Sequence, residues 1–133
     1  MATINRVVRR YTDLNLLFTP HPHSKDLLTR KNTDAVKASI QNLILTKNYE
    51  RPFHPEIGSQ VNNLMFENVI PSTISAIEKS IKDTISKFEP RAKILNVNIL
   101  DNFDNNAIDI EVLFTINNVT EPVTVTTTIS RVR

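Results

Sequence analysis

Cysteine, glycine and the larger aromatic residues are scarce in this chain of 133 residues, and each scarcity excludes a class of protein or site. With no cysteine, the chain cannot form disulfides, thiolate metal sites, iron–sulfur clusters or cysteine nucleophiles. Gly58 is the only glycine, so glycine-rich phosphate loops and dinucleotide fingerprints are impossible. The absence of tryptophan and the presence of only two tyrosines leave few flat surfaces on which sugars or bases could stack.

Long apolar runs and strong charge are also missing. The longest uncharged stretch, Leu14–Ser24, is far shorter than the roughly 20 apolar residues of a membrane span, and no secretory signal is recognisable at the N-terminus. The net charge is +2, with a net +5 over residues 1–51 and −3 over residues 52–133. This positive charge is too dilute for a nucleic-acid site. The sequence therefore predicts a globular protein with neither a membrane nor a nucleic-acid partner.

Hydrophobic periodicity divides the chain into elements. Residues 1–31 contain Pro20 and Pro22 and are predicted to form an extended N-terminal arm, and residues 32–133 a single domain. A helix is predicted from Asn32 or Thr33, either of which can cap it, to about Leu45. The loop Thr46–Gly58 follows, and its Phe53 and Ile57 are expected to anchor it in the core.

The rest of the domain is predicted to contain two more helices and a sheet. A short helix covers about Ser59–Glu67, and a long one runs from Pro71 to Phe88, where Pro90 ends it. Alternation with a period of two then predicts three strands. The expected fold class is α+β, with two long helices and one short helix packed on a C-terminal three-stranded antiparallel sheet. The predicted strands lie at residues 94–100, 108–116 and 123–129.

No catalytic or metal site emerges from the residues. His21, His23 and His54 lack the spacing of a metal site, so neither a metal nor another cofactor is predicted. A glycosidase needs two carboxyl groups held across the scissile bond. Nothing singles out such a pair among the glutamates at positions 56, 67, 78 and 89.

The corner Glu89-Pro90-Arg91 is the most distinctive polar group of the chain. Proline fixes the backbone between the helix and the strand, and the planar guanidinium of Arg91 suits bidentate pairing. Two interpretations stay open. The charges either form a local salt bridge at the junction or present a rigid polar anchor to a partner.

Four runs in this order resemble the gene-twenty-five-type baseplate wedge proteins of contractile-tailed phages and related injection systems. They are Asn42-Leu43-Ile44-Leu45-Thr46, Glu50-Arg51-Pro52-Phe53-His54-Pro55-Glu56-Ile57-Gly58, Leu64-Met65-Phe66-Glu67-Asn68 and Phe88-Glu89-Pro90-Arg91. The family usually has glycine before the Glu-Arg pair, where this chain has Tyr49.

The resemblance implies a structural component of the virion tail baseplate, assembled in the host cytoplasm and present in six copies, rather than an enzyme. It would join a helical core bundle of other wedge proteins to the tail sheath protein and template sheath assembly. The expected partner-binding residues are Glu50, Arg51, Pro52, Phe53, Glu89, Pro90 and Arg91, and a sheet edge would accept a sheath strand. The alternatives are a peptidoglycan-degrading lysozyme-like enzyme, since members are often labelled lysozyme, and an equivalent component of another injection system.

Overall fold

A computed structural model describes residues 10–67, 70–117, 119 and 121–131, which form three helices and five strands. Within these residues no helix is long and apolar enough to cross a bilayer. In chain order the elements are β1 (Thr12–Leu14), β2 (Thr29–Lys31), α1 (Thr33–Leu45), α2 (Val61–Leu64), α3 (Pro71–Phe88), β3 (Ala92–Asn102), β4 (Ala107–Ile116) and β5 (Val123–Ser130).

The predicted fold class is wrong because the strands form two sheets rather than one. Besides the three-stranded sheet, β1 and β2 pair antiparallel, with Asp13 opposite Arg30. We call residues 10–31 the N-terminal hairpin. Sequence periodicity misses it because each strand has only three residues and neither alternates apolar with polar side chains. Residues 1–9 of the predicted arm lie outside the described residues.

The three-stranded sheet is an antiparallel meander in the order β3-β4-β5. Its central strand, β4, is buried on one face because Ile108, Ile110, Val112, Phe114 and Ile116 alternate with more polar positions. On β3 the pairing shifts between Ile94 and Asn96, which leaves Leu95 as the extra residue of a bulge. This bulge distinguishes the two outer strands, β3 and β5.

The helices cover the buried face of this sheet. α3 packs against β3, and α1 packs against β5. Val36, Ile40 and Ile44 of α1 are buried, as are Ile77, Ile81 and Ile85 of α3. These side chains and those of β4 form one core cluster, which fixes the corner between α3 and β3 in space.

Two local predictions about the helices are wrong. Asn32 precedes α1 but makes no side-chain capping hydrogen bond, because its φ of 50° and ψ of −118° lie outside the extended region of a capping residue. The helix predicted over Ser59–Glu67 spans only Val61–Leu64. Ser59 instead donates its hydroxyl proton to the carbonyl oxygen of Ile44 at 2.7 Å, which ties the chain back to α1.

Thr127 provides a test of core packing on β5. Its side chain is buried, and its hydroxyl group has no hydrogen-bond partner among the described residues. Thr127→Val is expected to raise the free energy of unfolding by about 1 kcal/mol, since a methyl group replaces an unpaired buried hydroxyl of the same shape. Urea titration measures the change. Thr126→Val, on the exposed face of the same strand, is the control and should change stability by less than about 0.5 kcal/mol. If Thr127→Val is instead less stable than the wild type, the hydroxyl group of Thr127 has a hydrogen-bond partner in the folded protein.

Candidate functional site

Glu89 and Arg91 form a closely bonded pair at the corner between α3 and β3. Arg91 donates from Nε to Oε1 of Glu89 at 2.6 Å and from Nη2 to Oε2 at 2.8 Å. Glu89 is only 2% exposed, whereas the side chain of Arg91 is 23% exposed. Glu89 and Arg91 therefore form the local salt bridge of the junction, and one edge of the guanidinium group is hydrogen-bonded to a buried carboxylate.

The same arginine also holds the N-terminal hairpin. Its Nη1 and Nη2 donate to Oδ1 and Oδ2 of Asp13 at 3.1 and 3.0 Å, and its guanidinium carbon lies 5.4 Å from the centre of the Tyr11 ring. Arg91 thus bonds two carboxylates at once, one buried and one at the surface. We call Asp13, Glu89 and Arg91 the corner triad. It joins residues that are 78 positions apart in the chain.

The backbone of the corner is fixed from both sides. Glu89 donates its N–H to the carbonyl oxygen of Ile85 at the end of α3. Asn117, just after β4, donates from its amide side chain to the carbonyl oxygen of Pro90 at 3.2 Å, and from its N–H to that of Arg91. The triad therefore sits on a rigid support, as an interaction site requires.

The electrostatics of the triad favour its charged form. Burial acts to raise the pKa of Glu89, but hydrogen bonds from Arg91 and Ser39 and the charge of Arg91 outweigh it, so the pKa lies below its ordinary value of 4.5. Hydrogen bonds to Glu89 and then Asp13 raise the pKa of Arg91 further above its ordinary range. Glu89 and Arg91 are therefore both charged throughout the physiological pH range.

This shift predicts a pH dependence of stability. A carboxylate whose pKa is lowered by folding stabilises the protein above its unfolded pKa, here 4.5, and this stabilisation is lost as pH falls through the lower folded value. We therefore expect the stability difference between the wild type and Glu89→Gln to shrink between about pH 5 and pH 3. Denaturant titrations at several pH values measure it. Glu67→Gln, at an exposed glutamate, is the control. If the stability difference from the wild type decreases equally with falling pH for both variants, the pH dependence does not come from Glu89.

The loop Thr46–Gly58 is ordered, but not in the way the sequence suggests. Phe53 is 95% exposed, so the prediction that it anchors the loop in the core is wrong. Backbone contacts hold the loop instead. Tyr49 donates its N–H to the carbonyl oxygen of Pro55, and Ser59 to that of Thr46. Glu50 accepts the N–H of Lys47 at 2.9 Å.

Two exposed aromatic residues of this loop have a left-handed backbone. Tyr49 has a φ of 68° and Phe53 a φ of 67°, in a region that bulky residues rarely occupy. Gly58 closes the loop with a φ of 141°, and a Cβ there would lie 2.7 Å from the carbonyl oxygen of Lys47. The loop therefore keeps its shape at a cost in backbone strain while both aromatic rings face solvent.

Tyr49 offers a test of this strain. Its φ of 68° is a conformation that glycine adopts without a steric cost. Tyr49→Gly is expected to leave stability unchanged or to raise it by up to about 1 kcal/mol, since relief of strain exceeds the entropy that glycine loses on folding. Thermal melting checks this. Leu45→Gly, at an exposed helical position, is the control that should destabilise, and an equal loss in both would contradict the strain.

A groove connects this loop with the corner triad. It runs between the N-terminal hairpin, α1 and the loop, and it is lined by Asp13, Leu14, Leu16, Arg51, Ile57 and Phe88, among others. Arg51 of the loop and Asp13 of the triad thus border the same depression. Of the predicted partner-binding residues only Arg51 lines this groove, and Asp13, which lines it too, is hydrogen-bonded to Arg91.

The histidines do not form a site. His21 and His23 lie with their rings 6.0 Å apart, and His54 contacts Glu56 in the loop. Within the described residues no group of three or more His, Cys, Asp or Glu side chains is arranged to hold a metal. The site residue that sequence reasoning misses is Asp13, since no local pattern marks a carboxylate that pairs with an arginine so far along the chain.

A family model described as baseplate wedge protein gp25 matches residues 30–121 of this chain. The baseplate wedge protein gp25 of Enterobacteria phage T4 is 29% identical over 116 residues, which cover 87% of this chain and 85% of that protein.

Solved structures show the same fold. A chain of the anti-feeding prophage baseplate gives a TM-score of 0.73 at 20% identity, covering 84% of this chain and 90% of its own. A candidate tail lysozyme of Geobacter sulfurreducens gives a TM-score of 0.68 at 18% identity, and the match covers 74% of this chain and 89% of that one. A chain of the postcontracted pyocin R2 baseplate gives a TM-score of 0.60 at 19% identity, and the match covers 74% of this chain and 97% of that one.

Proposed function

This chain belongs to the gp25 family of baseplate wedge proteins, and we propose that it joins other wedge proteins of the tail baseplate to the contractile sheath. A structural role in the virion tail baseplate, in association with other baseplate proteins, follows from this membership and from the relatives. The sheath contact, the binding residues and the number of copies are the proposed parts, and six copies per baseplate remains a prediction.

The exposed loop beside the corner triad is the observation that carries the docking proposal. Arg51 and Phe53 are exposed, and they lie in a loop whose hydrogen bonds at neighbouring residues fix its backbone. Arginine and aromatic residues are enriched among those that dominate binding energy at interfaces. We assign Glu50, Arg51, Pro52 and Phe53 to direct contact with wedge proteins, and Glu89, Pro90 and Arg91 to the rigid corner that supports this surface.

Exposed residues allow the docking proposal to be tested without disturbing the fold. Arg51→Ala and Phe53→Ala are expected to melt like the wild type but to weaken binding to the other wedge proteins of the same tail gene cluster by about tenfold or more. Lys93→Ala and Leu100→Ala, at exposed positions on β3, are matched controls. Titration of the purified wedge complex measures the affinity. Wild-type affinity in both loop variants would refute the assignment.

The outer edge of β5 is the surface we propose for the sheath. Edge strands expose unpaired backbone groups and accept further strands unless charges, prolines or bulges protect them. The other outer strand, β3, carries the bulge at Leu95, whereas the pairing of β5 with β4 is regular. Val123–Ser130 contains no charged residue and no proline. A sheath strand therefore has a regular, uncharged template on β5.

A proline scan tests this edge with an internal control. Proline is tolerated where an edge-strand N–H faces outward and disrupts the sheet where the N–H bonds the neighbouring strand. Among proline variants at successive positions from Thr124 to Thr128, those that melt like the wild type should block sheath growth on assembled baseplates. Normal sheath growth in those folded variants would refute the β5 assignment.

We propose further that the protein is not a hydrolase. A glycosidase needs a general acid whose pKa is raised, but the pKa of Glu89 is lowered and its carboxylate is occupied by Arg91. The pKa of Glu56 is also lowered, first by a backbone hydrogen bond. Purified protein should therefore not clear a peptidoglycan suspension. Clearing that is lost on replacing one carboxylate, without unfolding, would establish the lysozyme-like alternative.

A further inference from the structure

The N-terminal hairpin exposes an unusual amount of apolar surface. Five large apolar side chains lie between positions 14 and 27, with exposed fractions from 41% to 72%. Contiguous apolar surface of this kind marks interaction sites on folded proteins. We call this set the hairpin patch. Its members are Leu14, Leu16, Leu17, Phe18 and Leu27.

The hairpin patch is held in place by specific contacts. Asn15 donates its N–H to the carbonyl oxygen of Leu28 across the hairpin, and its side-chain oxygen accepts the N–H of Leu17 at 3.2 Å. Its carbonyl oxygen accepts the N–H of Phe18, whose φ is 51°. A phenylalanine with a left-handed backbone is a steric outlier, as are Tyr49 and Phe53. The chain thus accepts strain at three aromatic residues and leaves each of their rings exposed.

The hairpin that carries this patch has a net positive charge. Residues 10–31 carry four cationic side chains, Arg10, Lys25, Arg30 and Lys31, against Asp13 and Asp26. Asp13 is already paired with Arg91. The hairpin surface therefore favours a partner segment that combines large apolar side chains with acidic ones.

We propose that the hairpin patch binds an acidic segment with large apolar side chains in another baseplate protein. Leu14 and Leu16 line the same groove as Arg51 and Ile57, so the hairpin patch is continuous with the proposed docking loop. The inference rests on the proposed function only in taking the partner from the baseplate. Most of the hairpin precedes residue 30, where the match to the family model begins, so this surface adds to the one the family model covers.

Replacing Phe18 with asparagine distinguishes the contribution of its ring to binding from the effect of its strained backbone. Asparagine tolerates positive φ, so Phe18→Asn should melt at or above the wild-type temperature while it loses the ring. Its affinity for the purified wedge complex of the same tail gene cluster should fall about 30-fold, as for an aromatic anchor. Phe66→Asn is the matched control, since Phe66 is 70% exposed outside the hairpin, and it should bind like the wild type.

Charge reversal tests the acidic character of the partner. Lys31→Glu should weaken binding about tenfold and Lys93→Glu should not, and wild-type affinity should fall as salt is raised from about 50 to 200 mM. Wild-type affinity in Phe18→Asn, or binding insensitive to both Lys31→Glu and salt, would overturn the inference. If Arg51→Ala loses binding and Phe18→Asn does not, only this inference fails. If the reverse holds, the hairpin patch stands and the loop assignment fails.

Discussion

Phe114→Ala is expected to lower the free energy of unfolding by about 3–5 kcal/mol. Phe114 is fully buried near the C-terminal end of β4, where it belongs to the core cluster between the sheet and the helices. Removing its ring takes away the contacts of the largest fully buried side chain and leaves a cavity that the surrounding isoleucines can fill only in part. Since domains of this size are stable by only about 5–15 kcal/mol, this loss is a large fraction of the free energy of unfolding.

Two further variants make the Phe114 result interpretable. Phe114→Leu keeps most of the apolar volume and should cost clearly less than Phe114→Ala. Leu100→Ala removes a leucine that is 62% exposed and should change stability by less than about 0.5 kcal/mol. Urea titrations of the three variants give the free energies directly. A loss of only a few tenths of a kcal/mol for Phe114→Ala would show that β4 has a different register.

The sequence was sufficient for those elements whose side chains alternate between core and solvent. The apolar face of α1, the residues Ile77, Ile81 and Ile85 of α3 and the strict alternation of β4 all coincide with buried positions, because burial of one face requires such a period. The β1–β2 hairpin has no such period. Its strands are stabilised by backbone pairing and by Asp13, which sequence patterns do not reveal.

The loop illustrates a second reason why prediction from sequence failed. An apolar residue in a loop of a small domain is expected to pack on the core, but Phe53 is exposed because the backbone hydrogen bonds of the loop already fix its shape. Tyr49 lies in the same loop, and its residue type does not signal a left-handed backbone. Its φ of 68° shows that the conformation persists although the residue that best adopts it is missing.

The sequence predicted the residues Glu89, Pro90 and Arg91 of the candidate site, but not the contacts that they make. The residues Glu89-Pro90-Arg91 stood out because proline fixes a corner between two charges. Whether these charges pair with each other or with a partner could not be decided from the sequence, since burial determines this choice. The structure shows the pairing and adds Asp13, so that Arg91 stabilises the fold as well as the surface beside it.

Arg91→Ala is therefore expected to destabilise the protein by about 2–4 kcal/mol. Without Arg91, the nearly inaccessible carboxylate of Glu89 loses the two hydrogen bonds from the guanidinium group and its neutralising charge, and unpaired buried charges are strongly destabilising. The partial exposure of Arg91 moderates the loss relative to a fully buried pair. Arg91→Lys should recover only part of it, because a single ammonium group cannot bond two carboxylates in the geometry of a guanidinium fork.

The same substitution should also release the N-terminal hairpin, since Asp13 loses its partner on the corner. Trypsin should then cut faster after Lys25, Arg30 or Lys31 in both Arg91→Ala and Asp13→Asn, whereas Arg131→Ala, at the other end of the sheet, should leave this rate unchanged.

A double-mutant cycle separates the two functions of the arginine. Glu89→Ala combined with Arg91→Ala should be more stable than the sum of the single losses predicts, by about 1–3 kcal/mol, because the double variant buries no unpaired charge. Additive losses, with trypsin cutting at the wild-type rate, would mean that the corner triad does not hold this fold together.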